Sequence, residues 1–238
     1  MYSFDARVRY SECDEKGRLG LVPMMNYLQD CSTFHCEEHG GGIRTLGEQG
    51  YGWILAAWSI EIDRPVEFGE QIEVSTWCYE MKSLHALRNF QIRDEGGRPI
   101  VRADSQWLFY SLNDNKVVRI PDSQRFYLED TPRLDMPPMQ RKIRPEGEGA
   151  EASPVLVSEQ HLDTNRHVNN AQYVLMAIDA LSELGLEGRP SRLAVQYRGM
   201  ARLGDTVVPV VHTGKDGAVV ELKAVDGSVY ATVKIQGE

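Results

Sequence analysis

Apolar residues recur along the chain at the spacing of a helix, and this pattern occurs twice. In the first half, one helical face is marked by Met24, Tyr27, Leu28 and Cys31. Pro23 suits the first turn of that helix. An offset of 149 residues leads to a second apolar face, formed by Tyr173, Met176, Ala177 and Ala180. The sequence therefore predicts one long helix in each half.

Alternating apolar positions predict the strands around these helices. In the first half, one run of alternate positions holds Ile72, Val74, Thr76 and Cys78, and another holds Val101, Ala103, Ser105, Trp107 and Phe109. Further strands are expected at Arg7–Tyr10, at Phe90 and Ile92, and over 207–211, 218–224 and 229–235. Residues 60–70 align with residues 195–205 without a gap, at an offset of 135. The chain is therefore a duplicated α+β protein in which each antiparallel sheet wraps around one helix.

A proline-rich stretch separates the two halves. Residues 131–153 contain four prolines and two glycines and show no apolar period, which is typical of a linker. We predict a first domain over 1–130, a linker over 131–153 and a second domain over 154–238.

Charge and cysteine content narrow the class of protein. The 26 basic and 35 acidic residues give a net charge of −9, which has the wrong sign for binding nucleic acid or anionic lipid over a whole surface. We expect no signal segment and no membrane span. The four cysteines match no zinc spacing, so we expect free thiols in a reducing compartment and a cytoplasmic protein.

One motif carries a resemblance to a known family. The run Asp163-Thr-Asn-Arg-His-Val-Asn-Asn-Ala-Gln-Tyr173 resembles the Asp-x-Asn-x-His-Val-Asn-Asn segment of acyl-acyl carrier protein (acyl-ACP) thioesterases. The resemblance extends over residues 53–77 and Tyr197-Arg198, and so covers nearly the whole chain. It implies a tandem (double) hotdog fold and hydrolysis of fatty acyl thioesters without metal or cofactor. It also implies the partners: acyl carrier protein and a fatty acyl substrate, with no nucleic acid and no membrane.

The polar residues of the motif are the predicted catalytic set. Asp163, Asn165 and His167 lie at i, i+2 and i+4, which in an extended stretch directs them to one side. Hydrolysis needs donors at the developing oxyanion and a group that activates water. We expect Asp163 to orient or activate water, Asn165 to hold water or the carbonyl, and His167 to act as base or as donor to the leaving sulfur. Backbone N–H groups near Asn170, at the start of the helix, suit the oxyanion. Alternatively, Asp163 and Asn165 only form a turn.

The chain departs from the family at one point. Plant members carry a Glu-Cys pair after a Tyr-Arg-Arg segment, whereas Gly199, Met200 and Ala201 follow Tyr197-Arg198 here. A cysteine nucleophile in the second half is therefore excluded. This favours hydrolysis assisted by a carboxylate and leaves the identity of the general base open.

The resemblance also implies that the first half holds the acyl chain. Flexible and aromatic walls suit an alkyl tail, and the predicted substrate-binding residues are Met24, Met25, Trp53, Leu55 and Trp58. They are equally compatible with an ordinary core. An acidic carrier protein would need a local basic surface, for which the candidates are Arg119, Arg125, Arg133, Arg141, Lys142 and Arg144. A solvated linker would explain the same charges.

Weaker patterns and rival functions stay open. Asp14 with Gly17 resembles the Asp-x-x-Gly-His of simpler hotdog thioesterases, but Arg18 replaces the histidine, which favours a structural turn. Cys31, His35 and His39 lie at i, i+4 and i+8 but have no supporting metal ligand. The alternatives are an acyl-coenzyme A thioesterase and a non-catalytic acyl-binding module, and a homodimer is possible.

Overall fold

The computed structural model describes residues 1–39, 41–186, 188 and 190–237, which form two compact units, Met1–Pro138 and Met139–Glu238. The boundary falls within the segment predicted as a linker. The helices of the first unit are α1 (Leu21–Glu38) and α2 (Ile43–Glu48). Its strands are β1 (Tyr2–Arg7), β2 (Tyr51–Ile62), β3 (Gln71–Met81), β4 (His85–Asp94), β5 (Pro99–Ser111) and β6 (Lys116–Val117).

The first unit is an antiparallel sheet with α1 on one face. The strand order is β1-β3-β4-β5-β2, and β6 pairs with β5. Val74 lies opposite Ile92, and Ile92 lies opposite Val101, as the predicted alternation requires. Leu28 and Cys31 of α1 are fully buried. The amphipathic helix and the alternating strands therefore share one apolar layer.

The opposite face of this sheet is covered by residues 131–136. The backbone N–H of Leu134 donates to Asn89 Oδ1 at 2.8 Å, and Arg133 forms an ion pair with the buried Asp104 at 3.2 Å. This part of the predicted linker is therefore fixed to the first unit rather than solvated.

The second unit repeats this design with a shorter helix, α3 (Asn170–Glu183). Its strands are β7 (Ala150–Glu151), β8 (Val155–Leu156), β9 (Pro190–Tyr197), β10 (Thr206–Gly214), β11 (Gly217–Lys223) and β12 (Val229–Gly237). The order is β9-β12-β11-β10, and both β7 and β8 pair with β10. Helix α3 packs against β10, β11 and β12, so its apolar face lies on the sheet.

The duplication is confirmed by equivalent hydrogen bonds. The N–H of Val8 donates to Glu70 O, and the N–H of Val157 donates to Asp205 O; the donors lie 149 residues apart and the acceptors 135 apart. Helices α1 and α3 also begin 149 residues apart. The strand predicted at Arg7–Tyr10 is misplaced, because β1 ends at Arg7 and a 3-10 turn begins at Tyr10.

Within the described ranges, no helix combines the length and the apolar character needed to span a bilayer. All four cysteines are free thiols, as predicted.

Candidate active site

The predicted catalytic motif forms a tight turn that leads into α3. The N–H of Asp163 donates to His167 O at 2.8 Å, and the N–H of Arg166 donates to Asp163 O at 3.0 Å. Arg166 adopts a left-handed backbone with φ of 61°. The segment is thus a closed turn and not the extended stretch that the i, i+2, i+4 argument assumed. The turn nevertheless brings the ends of the motif together.

The two oxygens of Asp163 have different surroundings. Oδ1 accepts the backbone N–H groups of Asn165 at 2.8 Å and His167 at 3.2 Å, which makes it part of the turn. Oδ2 is contacted by the side-chain amide of Asn165 at 3.5 Å. Asp163 is half-buried, so this second oxygen is the one available to a water molecule.

His167 and Asn165 complete the motif differently. Asn165 is exposed and touches Asp163 through its amide. The half-buried imidazole of His167 has no hydrogen-bond partner in the portion of the chain that the structure describes. The structure therefore brings Asp163 and Asn165 into contact and leaves His167 beside them with both ring nitrogens available.

The start of α3 presents, within the described ranges, a backbone donor without an acceptor. Asn169 is the N-cap, and its side chain accepts the N–H of Ala171 at 2.9 Å. The N–H of Asn169 itself donates to His161 O, and that of Gln172 donates to Asn169 O. Among the described residues, the N–H of Asn170 has no acceptor. The predicted oxyanion site thus reduces to this single donor at the positive end of the helix.

A tyrosine cluster beneath the turn is absent from the sequence-based prediction. Tyr173 accepts the N–H of Ala201 at 2.8 Å, and the hydroxyl of Tyr197 donates to Asn170 O at 3.0 Å. Burial raises the pKa of Tyr173 to about 12, so the phenol stays neutral at physiological pH. Only the position of Tyr173 on the buried helical face pointed to it, and that position is also expected of a core residue.

Ala201 is one of the residues that follow Tyr197-Arg198, where plant members carry a Glu-Cys pair. Ala201 is fully buried, and its carbonyl accepts the N–H of Val168, at the end of the motif turn. Position 201 therefore adjoins the turn but carries only a methyl group. Met200 is exposed.

The first unit contains the same turn with a different outcome. Asp14 Oδ1 accepts the N–H groups of Lys16 and Arg18, both at 2.9 Å, and Gly17 has φ of 73°. Arg18 then donates to Asp14 Oδ2 through Nε at 3.2 Å and Nη2 at 3.0 Å. The second carboxylate oxygen is thus neutralised in the first unit, whereas His167 occupies the equivalent position in the second.

The predicted substrate-binding residues lie in the helix–sheet layer of the first unit. Met24 and Met25 of α1 are buried, as are Leu55 and Trp58 of β2. A β-bulge directly after Leu55 shifts the register by one residue. In a regular strand, residues three positions apart point to opposite faces. Because of the bulge, Trp58 lies on the same face as Leu55.

Trp53 lies on the same face, at the periphery of an apolar cluster. Its indole contacts Phe109 edge to face at 5.1 Å and donates to Gln124 Oε1 at 3.2 Å. Four of the five predicted residues are thus buried in the core of the first unit, and Trp53 packs against its edge. This placement is compatible with an acyl-binding role and with an ordinary core.

The weaker pattern of possible metal ligands on α1 is explained by other contacts. Cys31 Sγ donates to Val74 O, and His35 Nδ1 accepts from Arg88, so these side chains are engaged with the sheet. Within the described ranges, no group of three His, Cys, Asp or Glu side chains is placed to hold a metal ion.

Comparison with known proteins gives the same result for both halves. Residues 1–126 match the model of the acyl-ACP thioesterase N-terminal domain, and residues 148–236 match that of the C-terminal domain. An acyl-ACP thioesterase from Bacteroides thetaiotaomicron has a similar structure, with a TM-score of 0.87 and 27% identity over 99% of this chain and 97% of that one. The 12:0-ACP thioesterase from Umbellularia californica shares the fold with a TM-score of 0.84 at 18% identity, covering 99% and 97% of the two chains.

Plant sequences are also similar. The oleoyl-acyl carrier protein thioesterase of Coriandrum sativum is 24% identical over 90% of this chain and 63% of its own length. The acyl-[acyl-carrier-protein] hydrolase FATB3 of Cuphea viscosissima is 24% identical over 76% of this chain and 47% of its own length. The chain therefore spans about half to two thirds of these relatives. With both halves matched in order, the chain belongs to the acyl-ACP thioesterase family and has its tandem hotdog fold.

Proposed function

We propose that the protein is an acyl-ACP thioesterase that hydrolyses the thioester of a carrier-bound acyl chain and releases a free fatty acid for fatty acid biosynthesis. One observation carries this proposal. Among the described residues, the turn carboxylate of the second unit has one oxygen that pairs with no cation, whereas the equivalent oxygen of Asp14 is held by Arg18. We place the reaction in the cytoplasm, in keeping with four free thiols.

We propose a role for each group of the candidate site. Asp163 Oδ2 takes a proton from water as the water oxygen bonds to the thioester carbon, and Asn165 helps to hold that water. The N–H of Asn170 donates to the developing oxyanion. As the tetrahedral intermediate collapses, the C–S bond breaks and His167 gives a proton to the leaving sulfur. The proton held by Asp163 then passes to His167, which restores both groups. The products are the carboxylic acid and the carrier thiol.

The acyl chain is proposed to lie between α1 and the sheet of the first unit. Met24, Met25, Trp53, Leu55 and Trp58 are its proposed contacts. Each buried methylene stabilises binding by about 0.8 kcal/mol. The length of the released acid would therefore depend on the depth of this layer.

The carrier protein is proposed to dock on residues 141–144, named here the basic segment. Its charged side chains, Arg141, Lys142 and Arg144, are exposed and form no ion pair within the described residues, while Ile143 between them is buried. The N–H of Ile143 donates to Gln196 Oε1 at 3.0 Å, and the Gln196 amide donates to Gln140 O at 2.9 Å. The basic segment is thus anchored to β9. This anchoring holds its three cations in place for an acidic partner.

Two of the other basic candidates are engaged elsewhere. Arg133 pairs with Asp104, and Arg125 pairs with Asp122 at 2.9 Å. Neither belongs to the proposed docking surface.

A non-catalytic acyl-binding module is the second candidate. It is favoured by the structural role of Asp163 in the turn. Asp14 forms a turn of the same geometry although Arg18 holds its second oxygen, so an aspartate at this position does not require a catalytic function. A test must therefore remove the charge of the carboxylate without breaking the turn.

The discriminating variant is Asp163→Asn, with Asp14→Asn as the matched control. Asparagine keeps an Oδ1 that accepts both backbone N–H groups, so both variants should fold. With a chain-length series of acyl-ACP substrates, we expect Asp163→Asn to lower kcat at least 100-fold and Asp14→Asn to change it less than twofold. Turnover no faster than background for both wild type and Asp163→Asn would favour the non-catalytic module, whereas undiminished turnover by Asp163→Asn would refute the role given to Asp163. A series on coenzyme A, with matched chains, distinguishes the two carriers.

A further inference from the structure

An arginine without a carboxylate partner lies inside the first unit. Arg88 is on the helix-facing side of β4, opposite Cys78 on one neighbouring strand and Ser105 on the other. Its residue surface is only 6% exposed. No Asp or Glu among the described residues forms an ion pair with it. Burying an unpaired charge costs several kcal/mol, so this position requires an explanation.

Most of the hydrogen-bonding capacity of Arg88 is unused. Nη1 donates to His35 Nδ1 at 3.0 Å and to Thr76 Oγ1 at 3.3 Å. The guanidinium carbon lies 5.6 Å from the centre of the Tyr127 ring. A guanidinium has five N–H groups, and in the described part of the chain Nε and Nη2 have no acceptor. Three donors therefore remain available on one edge of the group.

His35, the partner of Arg88, is neutral and does not compensate the charge of the guanidinium. Burial, and then the positive charge of Arg88, lower the pKa of His35 to about 3, so its imidazole is neutral near pH 7. Because Nδ1 accepts from Arg88, the ring proton lies on Nε2. The pair therefore carries one net positive charge within a buried site.

The surroundings of this charge suit an alkyl chain. Cys78, which faces Arg88 across the sheet, belongs to a buried apolar cluster with Ala86, Phe109 and Tyr127. A row of rings then links the site to the surface: Tyr127 packs on Phe126, which is exposed. A ligand with a polar end and an apolar body would match both features.

We infer that Arg88 binds a carboxylate carried on an alkyl chain, with the carboxylate oxygens accepting from Nε and Nη2. A planar carboxylate fits two parallel donors of a guanidinium. The carboxylate has two possible sources: a free fatty acid, or the far end of a dicarboxylic acyl group. The second source, and the origin of the fatty acid as product, rest on the proposed function.

Calorimetric titration of the full chain tests the site. The probes are decanoate and decan-1-ol, below their aggregation limits. We expect wild type to bind decanoate at least tenfold more tightly than the alcohol. Arg88→Met should weaken decanoate binding at least tenfold and leave the alcohol unchanged. Asp14→Asn, which lies outside both proposed sites, is the control and should change neither affinity. Equal decanoate affinity in wild type and Arg88→Met overturns the inference.

A measurement on the wild-type protein covers the case in which Arg88→Met does not fold. In ¹⁵N-labelled protein, decanoate should shift the Nε–H resonance of Arg88, identified by its loss in Arg88→Lys, and decan-1-ol should not. If decanoate leaves that resonance in place, the inference is wrong.

Hydrolysis assays separate the two sources. Decanoyl-ACP and its analogue with a terminal carboxyl group are compared in wild type and Arg88→Met. A wild-type preference for the carboxylated chain, lost in the variant, identifies the acyl tail as the ligand. Competitive inhibition by decanoate, without that preference, identifies the free acid. If neither substrate is hydrolysed, the proposed function fails while the calorimetric result on Arg88 stands.

Discussion

Replacing Arg133 by Met should destabilise the first unit because it leaves a buried carboxylate without its ion-pair partner. Asp104 is 1% exposed and accepts from Arg133 Nε at 3.3 Å and Nη2 at 3.2 Å. Its other partners are neutral: the hydroxyl of Tyr79, at 3.0 Å from Oδ1, and the backbone N–H of Ser105. Without Arg133 the buried charge is left with neutral donors among the described residues.

The magnitude follows from the burial of each partner. Breaking a fully buried ion pair costs about 3–5 kcal/mol. The Arg133 side chain is 34% exposed, so we expect the lower figure of about 2–3 kcal/mol that is typical of a charged hydrogen bond. In a chain of this size each kcal/mol lowers Tm by roughly 2–4 °C. The expected loss is therefore about 4–12 °C at neutral pH.

The pH dependence distinguishes this mechanism from lost packing. Burial raises the pKa of Asp104 in the folded protein, and removal of Arg133 should raise it further. A carboxyl group whose pKa is higher in the folded than in the unfolded protein lowers the free energy of unfolding at pH values above the folded pKa. This loss disappears as the pH falls and Asp104 is protonated. The deficit of Arg133→Met against wild type should therefore shrink on acidification.

The assay is thermal unfolding from pH 4 to pH 8, with Asp104→Asn and the double variant completing a cycle. Asp104→Asn should recover part of the stability lost in Arg133→Met. A deficit that is the same at every pH, or a double variant as unstable as the sum of the singles, would refute the argument.

Other predictions concern the site and its surroundings. Asn169→Ala should cost about 1 kcal/mol of stability by removing the N-cap of α3, as measured in urea. His167→Arg should reduce kcat at least 100-fold without loss of stability, because the guanidinium would pair with Asp163. His35 should stay neutral from pH 8 to pH 5 by NMR; since its pKa is lowered on folding, its contribution to stability should fall below about pH 6.5. Neutral substitutions in the basic segment should raise KM for acyl-ACP, and reduce its dependence on salt, without affecting acyl-coenzyme A.

Local patterns predicted most of the fold. The helical face of Met24 and Leu28 and the alternation around Val74 depend on neighbours a few residues away, and both appear in the structure as expected. The offsets of 149 and 135 held because the two units share turns, such as those after Asp14 and Asp163, bond by bond.

Features that depend on distant partners were not predictable in the same way. The sequence neighbours of Arg133 are those of a solvated linker residue. Only the fold brings Arg133 to Asp104, which lies 29 positions earlier in the chain. Arg88 shares the parity of Phe90 and Ile92 in its strand, but the sequence gives no sign of its partner His35, which lies 53 positions away. In the candidate site, the residues of the motif were identified from sequence, whereas the closed shape of the turn required the structure.

The duplicated turn explains how the proposed catalytic carboxylate can occupy a position that folding also requires. In both units one carboxylate oxygen binds the backbone of the turn, so the aspartate is needed for structure whether or not there is chemistry. What differs is the residue four positions on. Arg18 neutralises the second oxygen of Asp14, while His167 leaves that of Asp163 able to receive a proton. On this argument the functional difference between the units depends on the residue that faces the aspartate, and not on the aspartate alone.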